Sequence, residues 1–200
     1  MILGSGGVAR FDIIAFAASA GGVFALTEIL GNLPRDLAAT IVVVEHLDPG
    51  QQGSVPEIFG RRSNLPVHLA IEGMNVEPGH AYLAPPDRHM LINRDGSVSL
   101  TQTELVSFVR PSADLLFESV AAAYGERAIA VVLTGTGKDG SRGVTAIKKN
   151  GGTVIVQEEA TSEFFGMASA AIRTGTVDFV LSIDEIPGAL STLVASPKET

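Results

Sequence analysis

Asp12-Ile-Ile-Ala-Phe-Ala-Ala-Ser19-Ala-Gly-Gly22 decides the fold of this 200-residue chain. An unbroken apolar run gives way to a serine among small residues. Apolar positions then recur at Val23, Leu26, Ile29 and Leu30, one face of a helix that Gly31 is expected to stop. The run does not alternate polar with apolar, and a strand covered by helices on both faces reads this way. Outward along the chain the same kind of run returns at 40–44, 127–133, 153–156 and 177–181. Between the later runs lie helical patterns. Ser112 is placed to cap a helix carrying Leu115, Leu116, Val120 and Ala123. Val144 and Ile147 precede a stop at Gly151, Phe164 to Ile172 form another helix, and Ile186, Leu190, Leu193 and Val194 form the last. The middle differs: 80–84, 89–92 and 97–100 read as strands, with Asn93-Arg-Asp-Gly96 as a hairpin turn.

The expected fold is therefore α/β, a doubly wound, mostly parallel sheet with an antiparallel hairpin insertion. The expected organisation is a single catalytic domain over 11–195, a flexible leader over 1–10 and a frayed tail over 196–200.

Composition narrows the function. Hydrophobic residues make up 46% and charged residues 18%, which excludes a disordered chain. Cysteine is absent, which excludes a disulfide scaffold, a thiolate zinc site and a thiol nucleophile. The formal charge of -8 offers no basic surplus to neutralise phosphates, so no nucleic-acid partner is expected. No apolar stretch reaches the roughly 18 residues of a spanning helix. The N-terminus lacks the basic-then-apolar build of a signal peptide. A cytoplasmic protein without membrane insertion is expected.

In an open α/β sheet, chemistry gathers at the carboxyl ends of the strands. Three ends carry reactive side chains. Ser19 stands in a sharp strand-to-helix turn, where small neighbours relieve crowding and the helix N-terminus favours an oxyanion. His46 stands where the second run meets Leu47-Asp-Pro-Gly50. Adjacent strands would set it about 5–10 Å from Ser19. Asp139 lies in Thr134-Gly-Thr-Gly-Lys-Asp-Gly140, which follows the 127–133 run. Alone, Ser19 and Asp139 read equally well as helix caps, and His46 as a structural histidine. Together they form a Ser-His-Asp set suited to acyl transfer. The order Ser, His, Asp is not that of an α/β-hydrolase, whose histidine comes last; here no histidine follows His89.

That order, with its motifs, resembles the catalytic domain of the chemotaxis protein-glutamate methylesterase (CheB) family. The resemblance runs from about Phe11 to Val194. It is carried by Ala18-Ser-Ala-Gly-Gly22, Glu45-His-Leu47, Pro78-Gly-His-Ala-Tyr-Leu-Ala-Pro85, Arg110-Pro-Ser-Ala-Asp114, Leu133-Thr-Gly-Thr-Gly-Lys-Asp-Gly140 and Phe165-Gly-Met167. It implies hydrolysis of glutamate γ-methyl esters on the cytoplasmic helices of methyl-accepting chemotaxis receptors, with deamidation of certain glutamines, and no cofactor or metal. It implies Ser19 as nucleophile, His46 as base, Asp139 as acid, and an oxyanion hole at Ala20 and Thr136. The chain departs from the family pattern in having Ala17 for Gly, Ala20 for a frequent Thr, Thr136 for Met, and Ala168 for a frequent Pro. Members often carry an N-terminal receiver domain; the length leaves no room for one, so it is expected to be absent from this chain.

Two rivals stand beside this reading. Gly135, Gly137 and Gly140 fit G-x-G-x-x-G between a strand and a helix, with Glu158 or Glu159 about 20 residues on, as in a nucleotide-binding module. Against it, Asp139 would set a carboxylate beside a pyrophosphate. The second rival is a non-catalytic receptor-docking module. Among the remaining residues, His68, His80 and His89 show no metal-ligand spacing, Arg110 suits a salt bridge, Lys148 and Lys149 suit a helix C-terminus, and Phe164 and Phe165 suit the core.

Overall fold

The computed structural model describes residues 11–46 and 55–195. The expected leader and tail, and the Leu47-Asp-Pro-Gly50 loop, lie outside the described residues. In chain order the elements are β1 (Ile13–Ala18), α1 (Gly22–Asn32), β2 (Thr40–Glu45), α2 (Val55–Arg62), β3 (Val67–Leu69), β4 (Ala81–Leu83), β5 (His89–Ile92), β6 (Val98–Thr101), α3 (Ala113–Tyr124), β7 (Ala128–Val132), α4 (Ser141–Lys149), β8 (Thr153–Gln157), α5 (Gly166–Ile172), β9 (Phe179–Leu181) and α6 (Ile186–Ala195).

Seven strands form one sheet in the order β3-β4-β2-β1-β7-β8-β9, and every pairing in it is parallel. β5 and β6 form a separate antiparallel hairpin. The doubly wound, mostly parallel sheet and its hairpin insertion are as expected. One detail is corrected. The 80–84 run is not part of the hairpin: its core, β4, pairs in parallel with β2 and β3 inside the main sheet. The reason is burial, since Ala81, Tyr82 and Leu83 are all buried as only an inner strand can be. β3 and α2 carried too little apolar pattern to be read as elements.

The central strands β1, β2 and β7 are buried along their whole length because helices cover both faces. Successive residues supply opposite cores. Ile14, Phe16 and Ala18 of β1 pack in one core with Leu26, Ile29 and Leu30 of α1 and Leu190 of α6. Ile13, Ala15 and Ala17 pack in the other with Leu116, Phe117 and Val120 of α3 and Val144 and Ile147 of α4. The helix stop at Gly31 is also corrected. α1 runs to Asn32 and ends because Pro34 holds Leu33 extended, at φ -73° and ψ 147°. β9 is an edge strand, and its Phe179 and Val180 are exposed.

The chain leaves β1 toward β2 on one side and returns to β7 on the other. β1 therefore sits at the point where strand order reverses, with a crevice above its carboxyl end. No helix among the described residues is long and apolar enough to cross a membrane.

Candidate active site

Sheet register brings the three expected residues to one rim. Ala17 pairs with Val44 and with Val132, and Ala18 pairs with Glu45. Beyond these pairs the ladder continues for one more step: His46 N–H donates to Ala18 O at 3.0 Å, and Ser19 N–H donates to Thr134 O at 3.1 Å. Ser19 therefore stands between His46 and the loop that carries Asp139. Ser19 and His46 project to the same face, because they follow Ala17 and Val44, which share a core, by two residues each.

Asp139 is the most heavily bonded group in the site. Its Oδ2 accepts from His46 Nε2 at 2.9 Å and from Ala113 N–H at 2.6 Å. Its Oδ1 accepts from Ser112 Oγ at 2.9 Å and from Asp114 N–H at 3.1 Å. The carboxyl thus sits at the N-terminus of α3, where free N–H groups and the helix dipole favour negative charge. Burial pushes its pKa up, but the His46 hydrogen bond, the Ala113 N–H, the His46 charge and the Asp114 N–H outweigh burial. The net result lies below the ordinary carboxylate value. Ser112 was expected to cap α3 with its own side chain. It occupies the cap position, but its hydroxyl donates to Asp139 and makes no cap bond. The helix is capped by Asp139 from another element.

His46 turns Nε2 to Asp139, which leaves Nδ1 without a partner among the described residues. No hydrogen bond joins Ser19 Oγ to the ring among the described residues. Catalytic contacts in substrate-free enzymes often close only when substrate arrives. The N–H groups of Ala20 and Thr136 have no intramolecular acceptor among the described residues, as an oxyanion site requires. Ala20 O is held by Thr134 Oγ1 at 2.9 Å, which fixes the turn that carries the Ala20 N–H.

The glycine-rich loop has a structural explanation. A Cβ on Gly135 would lie 2.4 Å from Met167 Sδ and 2.9 Å from Ser19 Cβ, so glycine here lets Met167 and Ser19 approach each other. Gly137 and Gly140 turn the chain at φ 85° and 93°. Asp139 between them is buried against α3. The loop is shaped around the carboxylate, which argues against a phosphate cradle.

The rest of the rim contains groups that stand in the quoted motifs but to which the sequence assigns no role. Met167 packs over Gly135 beside Ser19. Asp114, buried with its pKa raised chiefly by burial, accepts from Gly143 N–H at 2.8 Å and ties α4 to α3. Glu45 is buried under the first turn of α1, and its Oε2 has no partner among the described residues. A Cβ on Gly22 would lie 2.2 and 2.7 Å from its two carboxyl oxygens, so only glycine fits above it. Burial pushes the Glu45 pKa up to about 9. No local pattern marks these roles, because each depends on a contact between distant segments.

Other expectations resolve plainly. Arg110 forms its salt bridge, to Asp87. His68 Nε2 and His80 Nδ1 share a hydrogen bond at 2.9 Å, and His89 Nε2 bonds Glu104 O at 3.1 Å. Lys148 and Lys149 end α4. Phe164 is not core; it is exposed, because it lies on the loop before α5.

The CheB methylesterase family model matches residues 14–190. A protein-glutamate methylesterase/protein-glutamine glutaminase of Moorella thermoacetica is 41% identical over 187 residues, which is 92% of this chain and 44% of that protein. One of Pyrococcus horikoshii is 42% identical over 177 residues, 87% of this chain and 48% of that protein. A putative one of Leptospira interrogans is 38% identical over 177 residues, 88% of this chain and 92% of that protein. The crystal structure of the Thermotoga maritima CheB methylesterase catalytic domain superposes with a TM-score of 0.88 at 38% identity, covering 92% of this chain and 99% of that one. This chain spans about half the length of the first two relatives and nearly all of the third.

Proposed function

Since the chain belongs to the CheB methylesterase family, we propose that it hydrolyses glutamate γ-methyl esters on the cytoplasmic helices of methyl-accepting chemotaxis receptors. The observation that carries this reading is the His46 Nε2 to Asp139 Oδ2 contact of 2.9 Å, held beside Ser19 by the bond from His46 N–H to Ala18 O. The relatives named as methylesterase/glutaminase support the ester and, as a second substrate, the side-chain amide of glutamine.

The reaction has two halves. Ser19 Oγ attacks the ester carbonyl carbon while His46 Nδ1 takes its proton. The carbonyl oxygen becomes an oxyanion between the Ala20 and Thr136 N–H groups. Asp139 holds the ring through Nε2 and stabilises the imidazolium. The tetrahedral species expels methoxide, which takes the proton from His46 and leaves as methanol. A water then gives its proton to His46 and attacks the acyl-serine. Collapse returns the proton to Ser19 Oγ and releases the glutamate side chain as a carboxylic acid, which gives its remaining proton to solvent and leaves as the carboxylate. With a glutamine substrate the leaving group is ammonia. Thr136 contributes only its backbone to this scheme.

A receptor substrate places the reaction in the cytoplasm. The experiment is methanol release from a γ-methylated receptor cytoplasmic fragment. Ser19→Ala is expected to lower turnover by at least about 10³-fold with an unchanged melting temperature. Equal turnover by the variant removes Ser19 from the mechanism. No turnover by the wild-type chain leaves a docking module instead of an enzyme.

A further inference from the structure

Loop 102–110 is held at its base and bare at its tip. At the base, Arg110 Nε donates to Asp87 Oδ1 at 2.8 Å, and Arg110 Nη1 donates to Thr103 O at 2.7 Å. His89, fully buried in the hairpin, bonds Glu104 O at 3.1 Å. At the tip, Val106 and Val109 exchange both backbone hydrogen bonds, at 3.2 and 3.0 Å. The two residues between them, Ser107 and Phe108, have φ of 52° and 67°. A two-residue turn with both central φ positive is the turn for which Asn-Gly is preferred. Here it carries a phenylalanine, a residue that the left-handed region disfavours.

Phe108 is 95% exposed, so no packing among the described residues accounts for a bulky ring in that conformation. Leu105 beside it is 55% exposed. Backbone strain combined with apolar exposure is retained where function needs it. Position shows which function. Among the described residues, Leu105, Phe108, Val109, Arg110 and His46 line a hollow of about 250 Å³. Leu105, Phe108 and Val109 give the hollow an apolar side, and Arg110 beside them is held by Asp87.

We propose that the Val106–Val109 turn is a substrate-positioning finger, in which Phe108 and Leu105 bind an aliphatic side chain next to the esterified glutamate on the substrate polypeptide. The proposal rests on the methylesterase reading and adds to it a determinant for protein esters over small ones. The occupant follows from continuity with the site: whatever presents its ester carbonyl to Ser19 and His46 lays its neighbouring residues across this hollow. A free amino-acid ester has no such residues and does not reach Phe108.

The test compares two substrates. They are a γ-methylated receptor cytoplasmic fragment and N-acetylglutamate γ-methyl ester amide, each with wild type, Phe108→Gly and Phe108→Tyr. Phe108→Gly is expected to keep or raise the melting temperature, because glycine takes positive φ without a Cβ clash. It is expected to lower kcat/KM on the fragment by about 10- to 100-fold, mainly through KM, the scale of burying one large apolar side chain. It leaves the small ester unchanged, and Phe108→Tyr, which keeps the ring, retains activity on both. Equal kcat/KM of Phe108→Gly on the fragment overturns the proposal, as does an equal loss on both substrates. A wild type that dimerises where Phe108→Gly does not, with equal activities, assigns the patch to self-association and also overturns it. If wild type cleaves neither ester, the methylesterase reading fails and the finger with it; if it cleaves only the small ester, the ester chemistry stands and the finger alone fails.

Discussion

Replacing Glu45 with glutamine should stabilise the protein increasingly as pH rises. Glu45 ends β2 with its carboxyl buried under α1, its Oε2 unpartnered among the described residues, and its pKa raised from 4.5 to about 9 by burial. The folded state therefore holds a proton that the unfolded chain releases. Below the unfolded value both states carry the proton, and Glu45 adds no pH-dependent term. As pH rises above 4.5 the unfolded chain ionises while the fold stays protonated, so stability falls. The fall continues until pH passes the folded value and both states are charged. At 1.36 kcal/mol per unit, the loss reaches about 3 kcal/mol at pH 7 and remains below about 1 kcal/mol at pH 5. Glutamine has the same shape and does not titrate, so it escapes this loss.

The buried amide of glutamine carries its own desolvation penalty, but that penalty is the same at every pH. The informative quantity is therefore the change with pH of the difference between variant and wild type. Between about pH 5 and about pH 8 the difference should widen by about 4 kcal/mol, or roughly 10 °C in melting temperature for a chain of this size. Scanning calorimetry at constant ionic strength across that range reads it directly. A difference that stays constant from acid to alkaline pH would show that Glu45 is ionised in the fold and refute the reasoning. Turnover near neutral pH should persist in the variant, because Glu45 projects away from the face that holds His46.

Two further outcomes test the frame around the site. Ser112→Ala removes one donor from the Asp139 carboxylate and should cost about 1–3 kcal/mol at neutral pH. Because Asp139 has a depressed folded pKa, its contribution stands above the ordinary carboxylate value and is lost as pH falls through the folded one; acid titration of the melting temperature of both proteins checks this. Gly143→Ala would set a Cβ 2.6 Å from Phe117 Cβ and should destabilise the α3–α4 contact by about 1–3 kcal/mol, measured by urea unfolding.

Legibility followed the range of the interactions involved. The strands β1, β2, β7 and β8 were readable because each is an unbroken apolar run, a pattern that burial on both faces requires. Ser19, His46 and Asp139 were readable because the strand-end rule says where to look, and each follows its strand closely. β4 was readable as a strand but not as a member of the main sheet. Three residues do not say which neighbour they pair with, and the adjacent hairpin drew them into the wrong partnership. Ser112 was placed correctly at the start of α3, but its hydroxyl bonds a carboxylate 27 positions away in the chain, and no local rule reports that. Phe108 failed differently. Its backbone conformation is one that its residue type disfavours, so propensity argues against the turn that forms there.

Glu45 and His46 show how the sheet divides labour between adjacent residues. Strand side chains alternate faces, so the position after Val44 points toward α1 and the next toward α3. Toward α1, the carboxyl meets Gly22, its Oε2 gains no partner among the described residues, and it keeps its proton. Toward α3, the imidazole meets a carboxylate that four donors hold ionised. One glutamate at this rim is thus neutral and silent while one aspartate is charged and oriented, although both are buried. Solvent exposure does not separate them; the count of donors does. A slip of one residue in the β1–β2 register would exchange the two faces and turn every buried side chain of the strand to the wrong core; the bond from His46 N–H to Ala18 O continues the observed register to the rim. The site is therefore specified by the same backbone ladder that specifies the fold.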